Sequence, residues 1–219
     1  MAITTYAELL SAIDNYTHRA DLTSRADEFI DNVEAKLNRR LRLRAMETVV
    51  TGTFTADTAT LTLPADFLEE RSFSYEISTD VPVLLEPVTL ESGDGLEYGQ
   101  SGAPAYYAHN GDSMRLYPTP DSAYSYTLRY YKKLPALSSS QTTNWVLTNF
   151  PDAYLYGVQF EACAYVRDTE GAMQIKPLFD MVVEEIKRHD RAGRFKGPPR
   201  ALIDPVLLGG RRSNITTDS

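Results

Sequence analysis

Thr48-Val49-Val50-Thr51-Gly52-Thr53-Phe54-Thr55, followed after Ala56-Asp57 by Thr58-Ala59-Thr60-Leu61-Thr62-Leu63, decides the fold class. Before Glu47 the apolar residues recur at helical spacing. From Glu47 the period falls to two, with β-branched and small residues alternating as on half-buried strands. Ala56-Asp57 reads as the turn between the two runs. Thr60-Leu61-Thr62-Leu63 reads as an amphipathic strand that ends at Pro64.

Upstream of this change, residues 4–16 predict a short helix. Thr4 or Thr5 caps it, Glu8 lies near the positive end of the dipole, and Tyr6, Leu9, Leu10 and Ile13 share a face. Residues 22–44 predict a longer helix. Ser24 followed by Asp27 resembles a capping box, and Leu22, Ala26, Phe29, Ile30, Val33, Leu37 and Leu41 form the apolar stripe. Asp27, Glu28, Asp31 and Glu34 come first, and Lys36, Arg39, Arg40, Arg42 and Arg44 come last, the order that complements the macrodipole. The basic end reads as a nucleic-acid contact or as a solvated helix end paired with acids on a neighbour. The second is the expectation.

Downstream, Phe67 and Leu68 are expected to begin a short turn or helical piece. Further strands are expected near residues 71–78, 83–87, 105–109, 113–117 and 124–132, with Gly111-Asp112 as a hairpin turn. Short strands punctuated by Gly and Pro describe a small antiparallel sheet or sandwich. Residues 133–150 form a polar connection. Pro151 then suits a helix's first turn, and the helix continues to Arg167. A last helix runs over residues 173–192 with Ile175, Leu178, Phe179, Val182, Val183 and Ile186 on one face. Pro177 marks a kink or that helix's true first turn. Asp168-Thr169-Glu170-Gly171 links the two helices. The whole reads as an α+β fold: a bundle of N-terminal (1–46) and C-terminal (151–193) helices, an inserted antiparallel β-rich subdomain (47–150), and an extended C-terminal arm (194–219).

Composition narrows the function classes. The 219 residues are 42% hydrophobic and 24% charged, which excludes chain-wide disorder. No run approaches the roughly 18 apolar residues of a membrane span, and residues 1–16 lack the pattern of a secretory leader. A single cysteine, Cys163, excludes an internal disulfide framework and reads as a small buried residue. These features point to a soluble protein made in a reducing compartment, with no cofactor. The net charge of −8 argues against broad nucleic-acid affinity. It is unevenly spread: residues 47–150 hold thirteen acidic and five basic side chains, residues 193–219 two and five.

No Walker A, GxGxxG, HExxH or EF-hand pattern occurs. Glu69, Glu70, Glu76, Glu86, Glu91, Asp94 and Glu97 leave room for a carboxylate pair of glycosidase type, against the plainer reading of β-domain surface. Tyr106, Tyr107, Tyr117, Tyr124, Tyr126, Tyr130 and Tyr131 cluster in the strand region. Tyr124, Tyr126 and Tyr130 share one face there and Tyr131 faces away. Tyrosines in such numbers build sheet cores, protein interfaces or glycan sites.

The run Tyr130-Tyr131-Lys132-Lys133-Leu134-Pro135-Ala136-Leu137-Ser138, then Thr143-Asn144-Trp145-Val146-Leu147, then Phe150-Pro151-Asp152-Ala153-Tyr154-Leu155-Tyr156-Gly157, resembles a stretch of tailed-bacteriophage head-to-tail adaptor proteins, also called connector or head-completion proteins. The likeness includes Leu63-Pro64-Ala65-Asp66-Phe67 and the final helices down to Glu185-Ile186-Lys187-Arg188-His189-Asp190. It also includes the order of helices, β insertion, helices and tail. Read locally, the run is a structural corner in which Trp145 anchors the loop against the helix that Pro151 starts.

The resemblance implies a non-enzymatic structural virion protein without a cofactor. It would form a collar of about twelve copies at the portal vertex and continue the DNA channel to the tail. Implied partners are the portal protein, a tail or nozzle protein, further copies of the chain, and genomic DNA passing without sequence-specific binding; no membrane is implied. Assembly would take place in the host cytoplasm. The C-terminal arm would dock on the portal through Arg194, Phe195, Lys196, Pro198, Pro199, Leu202, Ile203, Pro205, Val206, Leu207, Leu208, Arg211 and Arg212. A segment of this composition is too short for its own core and gains order on a partner surface. Two other readings are a virion-associated peptidoglycan hydrolase acting through the middle acids, and a glycan-binding β module.

Overall fold

The computed structural model describes residues 3–17, 20–78, 81–97 and 99–194. In chain order the elements are α1 (Tyr6–Thr17), α2 (Ala20–Thr23), α3 (Ala26–Arg40), β1 (Glu47–Thr53), β2 (Thr60–Thr62), β3 (Phe67–Ser78), β4 (Val81–Leu84) and β5 (Glu86–Pro87). They continue with α4 (Leu90–Glu97), β6 (Ser101–Gly102), β7 (Tyr106–Asn110), β8 (Ser113–Tyr117), β9 (Thr119–Pro120), β10 (Ser125–Lys132), α5 (Trp145–Asn149), α6 (Pro151–Val166) and α7 (Thr169–Arg194). The class is α+β, with two hydrophobic cores.

The helical core gathers Leu9 and Ile13 from α1, Phe29, Ile30, Val33 and Leu37 from α3, Tyr154 and Val158 from α6, and Phe179, Val182, Val183 and Ile186 from α7. α1 opens on a capping box: the Thr5 hydroxyl accepts from the Glu8 amide at 3.4 Å, and Glu8 Oε2 accepts from the Thr5 amide at 3.0 Å. The same carboxylate accepts from Thr4, and these bonds hold its pKa down to about 2. No such box forms at Ser24 and Asp27. Arg25 is the N-cap of α3, without a side-chain hydrogen bond, and the Ser24 hydroxyl turns back to the Asp21 carbonyl.

The expected 22–44 helix therefore divides at Ser24-Arg25 and stops at Arg40. Leu41-Arg42-Leu43 alternates at period two, and in extended backbone both leucines are buried while Arg42 reaches outward. Similar corrections apply at the C-terminal helices. α7 begins at Thr169, so Pro177 lies inside it and not in its first turn. The link to α6 is only Arg167, in the left-handed region, and Asp168, whose carboxylate accepts from the Gly171 amide at 3.0 Å. Of the predicted α7 face, Leu178 is turned out to 40% exposure.

The β subdomain is a sandwich of two four-stranded sheets, ordered β1-β10-β3-β4 and β2-β8-β7-β5. Most neighbours are antiparallel, but β5 pairs with β7, and β6 with β9, in parallel. Ala56-Asp57 is a turn, with Asp57 at φ +60°, yet it joins the two sheets: β1 pairs with β10 and β2 with β8. Phe67-Leu68 begins a twelve-residue strand and no helical piece, because the turn is already complete where the Phe67 amide donates to the Pro64 carbonyl. Inward rows such as Val50–Leu128–Phe73 fill the sandwich. The opposite face of the first sheet carries Val49, Arg129 and Ser72 in one row and Thr51, Thr127, Ser74 and Leu84 in the next.

β10 belongs to both cores. Leu128 and Tyr130 enter the sandwich, while Tyr131, one residue on, enters the helical core. A register shift between Arg129 and Tyr130 and another after Tyr131 accompany the change of side.

Candidate functional site

Three polar features stand out: two among the helices and the corner that joins them to the sandwich, and one in the sandwich itself. The first is the basic end of α3. Lys36 pairs with Glu161 of α6, Arg40 with Asp180 of α7 at 2.6 Å, Arg42 with Glu69 of β3 at 2.7 Å, and Arg44 with Asp190 of α7 at 3.3 Å. The expected pairing with acids on neighbouring elements is present: it ties α3 to α6 and α7, and the extended segment after α3 to β3 and α7. Asp190, 5% exposed, also accepts from the Arg44 backbone amide at 2.9 Å, and Arg44 Nη1 donates to the Gly193 carbonyl at 3.0 Å. α7 is thus fastened where it ends. An open cleft of about 400 Å³ lies here, lined by Arg40, Arg42, Leu43, Tyr131, Lys187, Asp190 and Arg191.

The second feature is a buried polar hub that holds the 133–150 corner. Glu34 Oε1 accepts from the Leu137 amide at 2.9 Å and from the Tyr154 hydroxyl at 3.0 Å. The Asn144 amide nitrogen donates to the Tyr154 oxygen at 2.7 Å and to the Pro135 carbonyl at 3.1 Å, and its Oδ1 caps α5 by accepting from the Leu147 amide. Glu34 is 4% exposed. Burial lifts its pKa to about 7, its two donors acting in the opposite direction. Burial, with Glu34 beside it, drives the Tyr154 hydroxyl far above its ordinary range. Trp145 contributes at the rim, its ring 5.7 Å from Phe150 and 6.2 Å from His189 of α7.

Glu34 was discernible in the sequence. It stands at i+4 from Ile30 and i−3 from Leu37, so a carboxylate falls within the apolar stripe. Its partners were not discernible, because Leu137, Asn144 and Tyr154 lie more than a hundred residues on.

The third feature joins the tyrosines to the acids. Tyr107 donates to Glu70, Tyr117 to Asp94 at 2.8 Å, Tyr124 to Asp121 at 2.7 Å and Tyr130 to Asp66 at 2.9 Å. The rings of Tyr107, Tyr117 and Tyr130 are at most 3% exposed, and each hydroxyl meets a carboxylate at the rim. Burial first, and then the carboxylate, raises Tyr107 and Tyr130 to about 12. The tyrosines therefore build core, with Tyr131 on the opposite side as expected.

Of the seven middle acids, Glu69 pairs with Arg42, Glu70 with His109 at 2.8 Å, and Asp94 with Arg115 and Tyr117. Glu76, Glu86 and Glu91 are exposed, and the Glu97 side chain lies outside the described residues. Cys163 is only half-buried. Among the described residues no group of three or more His, Cys, Asp and Glu side chains is placed to hold a metal ion, and no helix is long and apolar enough to cross a membrane. Arg194 ends α7. The other arm residues named from the sequence, Phe195 to Arg212, lie outside the described residues.

Among the described residues the large exposed apolar side chains are Met173, Leu178 and Met181 of α7, Val49, Ile77, Val81 and Leu84 of the first sheet, and Tyr16 and Tyr165 in the last turns of α1 and α6. Compared with known families, the chain matches the family described as SU10 adaptor protein over residues 4–201. Comparison with curated proteins gives no match.

Proposed function

Because the chain belongs to the SU10 adaptor protein family, whose members are structural components of the bacteriophage virion, we propose that it forms a ring at the portal vertex. This ring joins the capsid to the tail and continues the DNA channel. The observation that carries the reading is the extent of the family match, residues 4–201, which takes in both helical segments, the sandwich and the beginning of the arm. The architecture supports a passive building block. Ion pairs and a buried hub fasten the helices to one another, Arg42–Glu69 reaches across to the sandwich, and the tyrosine–carboxylate pairs fix the sandwich. The excess of acids on the chain keeps a phosphate backbone from adhering as it slides past.

In this reading the helices (1–46 and 151–193) form the bundle, residues 47–150 the insertion, and residues 194–219 the portal-docking arm. Its bases and apolar residues, Arg194 to Arg212, lie against the portal. Each subunit repeats the contact, so a ring multiplies a modest affinity. The chain is expected to bind portal rings and a tail component, and to act without catalysis.

The test is co-sedimentation with portal rings, followed by electron microscopy. The full chain is expected to decorate the portal with a closed ring. A chain ending at Gly193 is expected to stay folded, since both cores draw on residues before that point, and to lose portal binding. Equal co-sedimentation of the two chains overturns the arm assignment.

A further inference from the structure

Sheet edges expose unpaired amides and carbonyls, and proteins commonly guard them with charged side chains. The first sheet of the sandwich carries no charge on either edge. At one edge β1 has seven residues in unbroken register with β10, and from Thr48 to Thr53 it holds neither a charge nor a proline. At the other, β4 reads Val81-Pro82-Val83-Leu84. Aliphatic side chains lie open on both: Val49 of β1 is 53% exposed and Leu84 of β4 is 65% exposed. The chain's net charge of −8 holds copies apart in general, and these two edges are where charge is missing.

The hydrogen bonds show which backbone groups are free. The Phe54 amide donates to the Tyr124 carbonyl, so Phe54 bonds toward β10, and by alternation Val49, Thr51 and Thr53 turn their N–H and C=O groups away from it. The Leu85 amide donates to the Phe73 carbonyl, so Leu85 and Val83 bond toward β3, and Leu84 and Pro82 turn outward. Among the described residues none of these outward groups has a backbone partner. Neighbours in the order β1-β10-β3-β4 are all antiparallel, so β1 and β4 run in opposite directions. The β4 edge of one copy therefore meets the β1 edge of the next as an antiparallel pair, with the outer faces of both sheets on the same side. Val49, Thr51, Pro82 and Leu84 share that outer face.

We propose that β4 of one subunit pairs with β1 of its neighbour, Leu84 opposite Val49, so that the first sheet continues from copy to copy. The inference rests on the ring reading and names the lateral contact of that ring. Leu84 and Val49 exchange both backbone bonds and cover each other's side chains, and the Thr51 amide donates to the Pro82 carbonyl. Pro82 returns no N–H, so each junction is modest and closure of the ring holds it. Two different edges are joined, and such a contact closes into a ring by repetition; two β1 edges could pair only across a two-fold axis and would stop at a dimer.

Cysteine cross-linking tests this in the full chain, free and on portal rings, with Cys163→Ser in every variant. Residues paired in this way stand ~5.5 Å apart at Cα, within the span of a disulfide. The chain carrying Val49→Cys and Leu84→Cys is expected to give a ladder of covalent oligomers on oxidation at the portal, and the two single-cysteine chains none. Both positions are exposed, so the folded subunit tolerates the changes. Adding Thr51→Pro is expected to abolish the ladder and to leave portal co-sedimentation in place, because that amide faces away from β10. Co-sedimentation without a ladder overturns the edge pairing alone. Dimers from Val49→Cys by itself place β1 against β1, and a ladder that survives Thr51→Pro shows proximity without strand pairing; each overturns the proposal. A ladder in the free chain with no portal binding upholds the pairing and overturns the portal reading alone. Absence of both ladder and portal binding overturns both.

Discussion

Replacing Glu34 with glutamine is expected to remove a pH dependence of stability and to leave the fold intact. The folded carboxyl titrates at about 7, against an ordinary value of 4.5. Its folded-state pKa is raised, so its favourable contribution is complete below about 4.5. That contribution is lost as pH rises through about 7, because the native state then holds a buried charge. The difference between those pKa values corresponds to about 3 kcal/mol. Oε1 takes both hydrogen bonds, and the glutamine carbonyl preserves them without ionising. Urea titrations at pH 5 and pH 8 are expected to show the natural chain losing stability between the two, and Glu34→Gln nearly unchanged. Glu34→Ala is a different change. It strands the Leu137 amide and the Tyr154 hydroxyl and leaves a cavity, costing about 2–4 kcal/mol at pH 5. A natural chain as stable at pH 8 as at pH 5 would contradict the assignment.

Gly157→Leu is expected to be as damaging, through packing. A Cβ at Gly157 would lie 2.8 Å from both methyl carbons of Val33 and 3.2 Å from the Phe179 ring, so α3, α6 and α7 converge on a position with no side chain. Val33 is fully buried and stiff at χ1, so its methyls have nowhere to move. Leucine there costs about 3 kcal/mol or more by overpacking. Gly157→Ala gains about 1 kcal/mol of helix propensity and still meets Val33, so a net loss of about 1 kcal/mol is expected. Combining it with Val33→Ala separates the causes. The double variant should be more stable than the sum of the single losses predicts, and strict additivity would show that the contact is not what matters.

How far the chain could be read from its letters depended on the range of the interaction. The Thr5–Glu8 cap region, the stripe from Leu22 to Leu41, the Ser113–Tyr117 strand and the helix opening at Pro151 are local patterns, and each is present. Three local signals were weak. Gly93 and Gly95 hide α4 behind poor helix formers, α5 has only five residues, and Leu41, four residues after Leu37, continues the helical stripe while also opening the period-two run Leu41-Arg42-Leu43. The pairing of β1 with β10 spans more than seventy residues and has no local trace, which is why Ala56-Asp57 was readable as a turn while the strands it separates were not assigned to different sheets. The hub followed the same rule: Glu34 was read only among the leading acids of its helix, although it falls within the apolar stripe, and its partners were hidden by distance along the chain. The arm, read from composition and resemblance, lies beyond the described residues.

Because β10 spans both cores, with β1 on one side and β3 on the other, the two halves are mechanically one piece. A pull along this strand loads both flanking ladders in shear, where many backbone bonds must yield together. A pull across it would open them one at a time. In the position proposed for the subunit, tension aligned with β10 would therefore load both ladders in the direction in which they resist best.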